Sequence, residues 1–247
     1  MIRELIRKEF NVRLSEVSVG RLLRKIGLSP QKPVRRAYQQ DQTKVVEWMA
    51  KEFPEIKQMA KKENAEIYFG DESSVRSDYH SGSTWARKGK TPVVTTTGAR
   101  FRVNLISAVS PRGKLRFMAT EEKVTAEVFC NFLSRLIEGA RHPVFLIIDN
   151  HPVHRSKKVK EFVHNAKGKL RLFYLPPYSP ELNPDEHVWN YLKNHKIGRV
   201  TKRGKKLFQE RIRSIMCSLQ KLPEKVKGFF KSPTTKYTAM FGDLCTD

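Results

Sequence analysis

The stretch "PVFLIIDN", residues 143–150, decides how the rest of the chain is read. Its five consecutive apolar residues, Val144 to Ile148, leave no polar face. A run that short, ending in Asp149, reads as a parallel strand buried on both sides. Ligands of open α/β sheets gather at the carboxyl ends of such strands, which is where Asp149 stands.

Working outward, "TAEVFCNFLSRLIEGA" (125–140) predicts an amphipathic helix capped by Thr125, with Val128, Phe129, Phe132, Leu133 and Leu136 on one face. "SKKVKEFVHNA" (156–166) predicts a second helix and "LRLFYLPP" (170–177) a further strand. Upstream, "AEIYFGDES" (65–73) reads as a strand ending in two acids. "TWARKGKTPVVTTT" (84–97, with "RKGK" as a turn), "RFRVNLISAVS" (100–110) and "GKLRFMAT" (113–120) also read as strands. Strands first, then strands alternating with helices, predict an α/β layered fold. Residues 41–62 predict a polar helix broken or bent at Pro54.

The chain has 247 residues, of which 48 are Lys or Arg and 25 are Asp or Glu, a net charge of +23. Residues 1–40 hold 10 basic and 3 acidic side chains, and residues 193–237 hold 14 and 2. The stretch between, 41–192, is far more balanced at 24 against 18. Excess charge confined to two flanks points to a polyanion, because each cation placed on a phosphate releases a counterion. There is no run of eighteen apolar residues to form a membrane helix. The charged N-terminus is unlike a secretory signal. Cys130, Cys217 and Cys245 are odd in number and far apart, which fits a reducing compartment better than a disulfide framework. No internal repeat or low-complexity tract is present.

The N-terminal flank predicts two short helices. The first covers residues 1–10, with Ile2, Leu5 and Ile6 on one face. The second runs from a Ser15 cap to Ile26, with Val19, Leu22, Leu23 and Ile26 at helical spacing and Gly27 beyond its end. Two helices joined by a tight turn in a basic segment suggest a helix-turn-helix. Its reading helix would expose Glu16, Ser18, Arg21, Arg24 and Lys25, and the arm after it carries Lys32, Arg35 and Arg36.

Asp71 shares a face with Ile67 and Phe69 by the period of two. Alone, either Asp71 or Asp149 reads more readily as a turn cap than as a site. Together, each after an apolar strand in a basic protein, they suggest a site for hard divalent cations, which take oxygen ligands. Two such ions about 4 Å apart can serve phosphoryl displacement, given about three carboxylates. The third must come from "YLPPYSPELNPDEHVWNYLK" (174–193), which offers Glu181, Asp185 and Glu186. Locally, Asn183 suits an N-cap, Pro184 the first helical position, and Glu186 a capping box that bonds back to the cap. Val188, Trp189 and Leu192 define the buried stripe. Asp185 falls near its middle and Glu186 about 100° to its side. Helical geometry therefore favours Asp185, and periodicity leaves the choice open.

"FGDES", "WARKGKTP", "LIIDNHPVHRS" and "YLPPYSPELNPDEHVWNYLK", in that order, resemble the signatures of a DDE transposase of the mariner superfamily, in its bacterial insertion-sequence branch. The resemblance covers roughly residues 10–215. It implies an RNase H-like catalytic domain, a mixed central sheet flanked by helices, preceded by a small helix-turn-helix module. It implies an acidic triad of Asp71, Asp149 and Glu186 that binds two Mg²⁺ or Mn²⁺ ions. The gap between Asp149 and Glu186, 36 residues, is typical of the superfamily. A position often apolar in relatives is here Asp185, which could perturb or replace Glu186.

The implied chemistry is hydrolysis of a phosphodiester at a transposon end, then attack of the freed 3′-hydroxyl on target DNA, typically at TA. Double-stranded DNA is the implied partner, a homodimer on paired ends the implied assembly, and the bacterial cytoplasm, on the nucleoid, the implied location. The implied organisation is 1–40 helix-turn-helix and basic arm, 41–62 linker helix, 63–215 catalytic domain, and 216–247 basic helical tail. Relatives carry another helix-turn-helix ahead of this one, and Met1 falls almost inside the second. A truncated copy, a fragment of a frameshifted gene or an internal-start product is therefore expected. The alternative is a DNA-binding remnant that represses transposition; an unrelated RNase H-like nuclease fits the last motif poorly.

Supporting positions follow. Glu72 points away from Asp71 and is expected behind the triad, with Asn150, His151 and Asp185. His151 and His154 suggest zinc only superficially, since no third nitrogen or thiolate ligand is nearby; orientation of Asp149, DNA contact or loop structure is the better reading. Trp85 with the "RKGK" turn could be a DNA-contacting hairpin or a structural one. Trp189 is expected in the core. Lys202, Arg203, Lys205 and Lys206 are expected to hold DNA.

Overall fold

A computed structural model describes residues 2–30, 37–78, 87–90, 100–197 and 204–241. The chain divides into two compact units, Met1–Tyr38 and Gln39–Asp247.

In the smaller unit, α1 spans Ile2–Phe10 and α2 spans Glu16–Lys25. Ser15 Oγ accepts the Ser18 amide at 3.0 Å, satisfying one of the free donors of the first turn of α2. Gly27 follows with φ +81°, the left-handed conformation that ends helices. The expected apolar faces do not close: α1 buries no residue, and α2 buries Val19 while Leu22 and Ile26 stay exposed. Two short helices have too little apolar surface to enclose a core of their own.

The larger unit is built on a mixed sheet of five strands among the described residues, in the order β3-β2-β1-β4-β5. The strands are β1 (Glu66–Arg76), β2 (Arg102–Val109), β3 (Leu115–Thr120), β4 (Val144–Ile148) and β5 (Leu170–Tyr174). β1, β2 and β3 are antiparallel neighbours, whereas β1, β4 and β5 run parallel. Every residue of β4 is buried, as its uninterrupted apolar run requires.

Helices cover both faces. α5 (Ala126–Ile137) and α6 (Lys157–Asn165) pack on Tyr68, Ile106, Leu146 and Ile148. Ile67, Phe69, Phe145 and Ile147 face the other layer. That layer holds α3 (Gln42–Glu47), α4 (Phe53–Lys62), α7 (Glu186–Asn190), α8 (Lys205–Gln220) and α9 (Pro223–Gly228). This is the mixed sheet between helices that the motifs imply.

Three expectations change. The helix over 41–62 is not polar throughout: Val45, Trp48, Phe53, Ile56 and Ala60 are core. A π-helical turn, Trp48–Glu52, widens it just before Pro54, which sits in the first turn of α4, where its missing N–H costs least. The strand expected to end at Asp71 and Glu72 continues to Arg76. Its parallel pairing with β4 stops at Phe69, but antiparallel pairing with β2 carries it seven residues further. The strand expected over 84–97 lies, with Trp85, outside the described residues apart from a turn in which Lys90 N–H donates to Arg87 O.

Candidate carboxylate site at the head of the sheet

β1 outruns β4 two residues before Asp71, so its backbone is paired on the β2 side while the side where β4 has ended opens into space. Alternation from Ile67 and Phe69 puts Asp71 on the α7 side. Asp149 follows the last residue of β4 and is half exposed. Glu186 opens α7. One cleft of about 450 Å³ is lined by all three carboxylates together. A second, of about 540 Å³, shares Asp71 and Asp149 with the first and carries Arg102 and Lys123.

The helix start differs from the expected capping box. Asn183 Oδ1 accepts the Asp185 amide at 3.1 Å, while Asn183 Nδ2 donates to Gly70 O at 2.9 Å. One buried carboxamide thus leads into α7 and fastens its start to the strand residue before Asp71. Glu186 does not reach back to the cap; its carboxyl shares a hydrogen bond with Asp71. On the next turn, Trp189 Nε1–H donates to Asp71 Oδ2 at 2.8 Å. Trp189 is buried, as expected, but it is also a partner of the carboxylate.

Asp185 is fully buried. Its Oδ2 accepts Ser107 Oγ–H at 2.6 Å, and Ser107 is the β2 residue paired with Asp71. Its Oδ1 has no partner. Asp185 therefore seats α7 against the sheet behind Asp71 and lines neither cleft.

Asp149 is held from the far side. His154, 1% exposed, places Nδ1 at 2.9 Å from Asp149 Oδ1 and Nε2 at 2.6 Å from Glu72 Oε1. The His151 amide donates to the same Asp149 oxygen at 3.0 Å. Glu72 does point away from Asp71, toward this histidine. The donors gathered around His154 are carboxylates, and one of them, Glu72, is distant in sequence; Glu72, Asp149 and His154 bring ligand atoms within 4.8 Å of one another. The bridging histidine is His154, not His151, because the 3₁₀ turn Pro152–Arg155 turns His154 inward against the Phe129 ring. His151 instead lines both clefts. Asn150 donates to Leu175 O at 2.6 Å, tying the end of β4 to the proline loop.

The electrostatics divide the acids into two kinds. Burial, then repulsion from Glu186, pushes Asp71 well above the usual carboxylate range, against the lowering effect of the Trp189 hydrogen bond. Burial likewise raises Glu186, opposed by Lys193 and the Asp71 hydrogen bond. Burial raises Asp185 as well, with added repulsion from Asp71, Glu186 and Glu72. Asp149 goes the other way: burial opposes its charge, but His154 and the His151 amide outweigh it. Burial would lower His154, yet Asp149 and Glu72 raise it to about 10. Asp71 and Glu186 are an oxygen-only pair whose repulsion a divalent cation would relieve.

Of the expected DNA-contacting side chains, Arg21, Arg24 and Lys25 are exposed on α2, and Lys205 and Lys206 are exposed at the start of α8. Lys205 pairs there with Glu121. Lys32, Arg35, Arg36, Lys202 and Arg203 lie outside the described residues.

A mixed sheet that gathers carboxylates from within β1, from the end of β4 and from the start of a helix presents the oxygen donor set of a class of metal-dependent phosphoryl-transfer enzymes. Within that class, the family described as DDE superfamily endonuclease matches residues 66–207, and the chain belongs to it. A winged helix-turn-helix family matches residues 1–52. An insertion element IS630 protein of 39 kDa from Shigella sonnei is 28% identical over 149 residues, 57% of this chain and 43% of that protein. The Tcb2 transposase of Caenorhabditis briggsae is 40% identical over 50 residues, 20% of this chain and 18% of that one. The chain thus spans less than half the length of these curated relatives. Among solved structures, the Mos1 strand transfer complex superposes with a TM-score of 0.65 at 15% identity, covering 98% of this chain and 75% of that one. The Mos1 mariner paired end complex with Mg superposes at 0.62 and 16% identity, covering 96% and 74%. At such identities the likeness is one of fold.

Proposed function

We propose that this chain is a transposase that cuts DNA at the ends of an insertion sequence and joins them to target DNA, at TA, through a site made of Asp71, Asp149 and Glu186. The observation that carries the reading is the single cleft lined by all three carboxylates, contributed by β1, the end of β4 and α7. Membership of the DDE endonucleases supports the reaction class, and the likeness to the Mos1 paired end complex with Mg supports transposon ends and divalent metal as partners; a homodimer on double-stranded ends is part of the proposal.

Asp71, Asp149 and Glu186 would hold two Mg²⁺ or Mn²⁺ ions. Bound there, such ions stabilise the attacking and leaving oxygens of an in-line displacement at phosphorus. The protein's own groups do the positioning. Trp189 fixes one oxygen of Asp71, while His154 and the His151 amide fix one oxygen of Asp149. Asn183 and Asp185 hold α7 so that Glu186 stays beside Asp71. Arg21, Arg24 and Lys25 would contact end DNA; Lys205 and Lys206, with Lys202, Arg203 and the arm residues Lys32, Arg35 and Arg36, would hold its backbone. No helix among the described residues is long and apolar enough to cross a membrane.

The test is purified protein with a plasmid carrying the element's inverted repeats and a second plasmid as target. Mg²⁺-dependent nicking at the repeats and junctions at TA are expected, both abolished in Asp149→Asn. Nicking that survives in Asp149→Asn would overturn the reading.

A further inference from the structure

Asp149 stands at the carboxyl end of β4, and about 17 Å of strand separates it from the amino end. A further cleft, of about 300 Å³, lies at that amino end. Its walls are residues 140–143, which lead into β4, and residues 167–169, which lead into β5, with Ile137 at the end of α5. Parallel pairing of Val144 with Leu170 sets the two segments side by side. Arg141, His142, Lys167 and Lys169 line the cleft, and no acidic residue does.

The frame of this cleft is fixed, but its cations are not engaged. Lys169 O accepts the Val144 amide at 2.9 Å, the Lys169 amide donates to Ala166 O at 2.9 Å, and Pro143 O accepts the Glu66 amide at 2.8 Å. The side chains of Arg141, His142, Lys167 and Lys169 are exposed and make no ion pair or hydrogen bond with a described residue. Elsewhere in the same unit Lys158 pairs with Glu127, Arg171 with Glu63 and Lys227 with Glu224. Service to helix dipoles does not account for the cluster. α5 and α6 both end beside the cleft, but two helix ends carry only about one negative charge between them, against three permanent cations. On the opposite face of the sheet, at the same end, a cleft of about 120 Å³ carries Lys57, Lys61 and Arg112, and its Glu66 is paired with Lys114. The cationic surface thus continues around the start of β1.

We propose that the amino ends of β4 and β5 form a second DNA site, which grips the phosphate backbone of a duplex segment other than the one at the carboxylates. Duplex DNA is the occupant because the chain is a DDE superfamily endonuclease with a winged helix-turn-helix match, and because unpaired cations crowded in one cleft suit closely spaced phosphates. Occupancy needs no metal, since the cleft offers no carboxylate. It selects no sequence, since phosphate contacts carry none. With cations at one end of the strands and carboxylates at the other, one domain holds two duplex segments at once. The site stands whether or not Asp71, Asp149 and Glu186 cut DNA.

The test is capture of a second duplex. Full chain is bound in EDTA to a bead-linked duplex, and a labelled duplex without inverted repeats is titrated onto it at several salt concentrations. Arg141→Gln, Lys167→Gln and Lys169→Gln together should weaken capture by about tenfold or more near 0.1 M salt. They should also lower the slope of log K against log salt by about 2–3, since each phosphate contact contributes about 0.9. Binding to the bead-linked duplex should be unchanged. Lys51→Gln, Lys160→Gln and Lys231→Gln together remove the same charge elsewhere and should leave capture as in wild type. Arg141→Lys with Lys167→Arg and Lys169→Arg keeps the charge and should capture normally, and every variant should melt with wild type. Asp149→Asn should capture normally too. Capture retained by the cleft variant, or lost equally in the dispersed-charge variant, would overturn the site. Loss of capture in Asp149→Asn would place the second duplex at the carboxylates and overturn it as well. Labelled poly-glutamate captured as tightly as DNA, with the same loss in the cleft variant, would overturn DNA as the occupant.

Discussion

Trp189 Nε1–H donates to Asp71 Oδ2 at 2.8 Å, across 118 residues of sequence, and so couples the orientation of the first carboxylate to the helix that carries the third. Trp189→Phe keeps the buried ring and removes the donor. Groups that hold a ligand in place are typically worth 10–100-fold in metal affinity. Mn²⁺ binding is therefore expected to weaken by about tenfold or more, with thermal unfolding little changed. The Mn²⁺-dependent change in tryptophan fluorescence should disappear with it.

His154 supplies a pH dependence. Its ordinary value is 6.5, and between Asp149 and Glu72 it is raised to about 10. A cation stabilised in the folded state contributes fully below the unfolded value, and that contribution is lost as pH rises through the folded one. Metal-free protein is therefore expected to lose stability, on the order of a few kcal/mol, between about pH 7 and pH 10. In His154→Gln that loss should be absent. Ring resonances of His154 should remain those of an imidazolium at pH 8.

Asp185 and Glu186 are adjacent acids with opposite expected outcomes. Glu186→Gln should lose metal-dependent cleavage by about a thousandfold or more, as expected for loss of a ligand at the reacting centre. Asp185→Asn should retain it, because Asp185 is buried between α7 and the sheet on Ser107 and lines neither cleft. A carboxyl raised in the folded state makes stability fall as pH climbs above its unfolded value. Asp185→Asn should therefore flatten the decline in stability upward from about pH 4. Chemical denaturation across pH 4 to 8 reads this directly.

Gly113 turns β2 into β3 with φ +85°, and a Cβ there would lie 2.7 Å from Pro223 O at the start of α9. Gly113→Ala combines a left-handed alanine with a backbone clash. It should cost about 2–4 kcal/mol in unfolding free energy. The turn lies at the far end of the sheet from the carboxylates, so Mn²⁺ affinity of the folded protein should be unchanged.

The two strand acids were legible because their signals are local. An unbroken apolar run ends at Asp149, and a period of two puts Asp71 with Ile67 and Phe69. The length of β1 was not, since it depends on β2 continuing where β4 stops, a pairing made between segments about 30 residues apart. Asn183 was readable as the end of a loop, but its bond to Gly70 comes from a strand 113 residues away. The two histidines of "HPVH" look equivalent until the 3₁₀ turn sends one inward, so Glu72 and His154 could not be paired from spacing. Trp189 carried an apolar signal strong enough to mask its polar edge. Helical geometry drew attention to Asp185, which does face the sheet; it could not show that Ser107 waits there in place of the cleft.

The central claim, that Asp71, Asp149 and Glu186 act as one cation site, is tested most directly by anomalous diffraction from Mn²⁺-soaked crystals of the whole chain. The expected result is density in the cleft within coordination distance of all three carboxylates. Manganese held instead by Glu72, Asp149 and His154, with Glu186 unengaged, would contradict it.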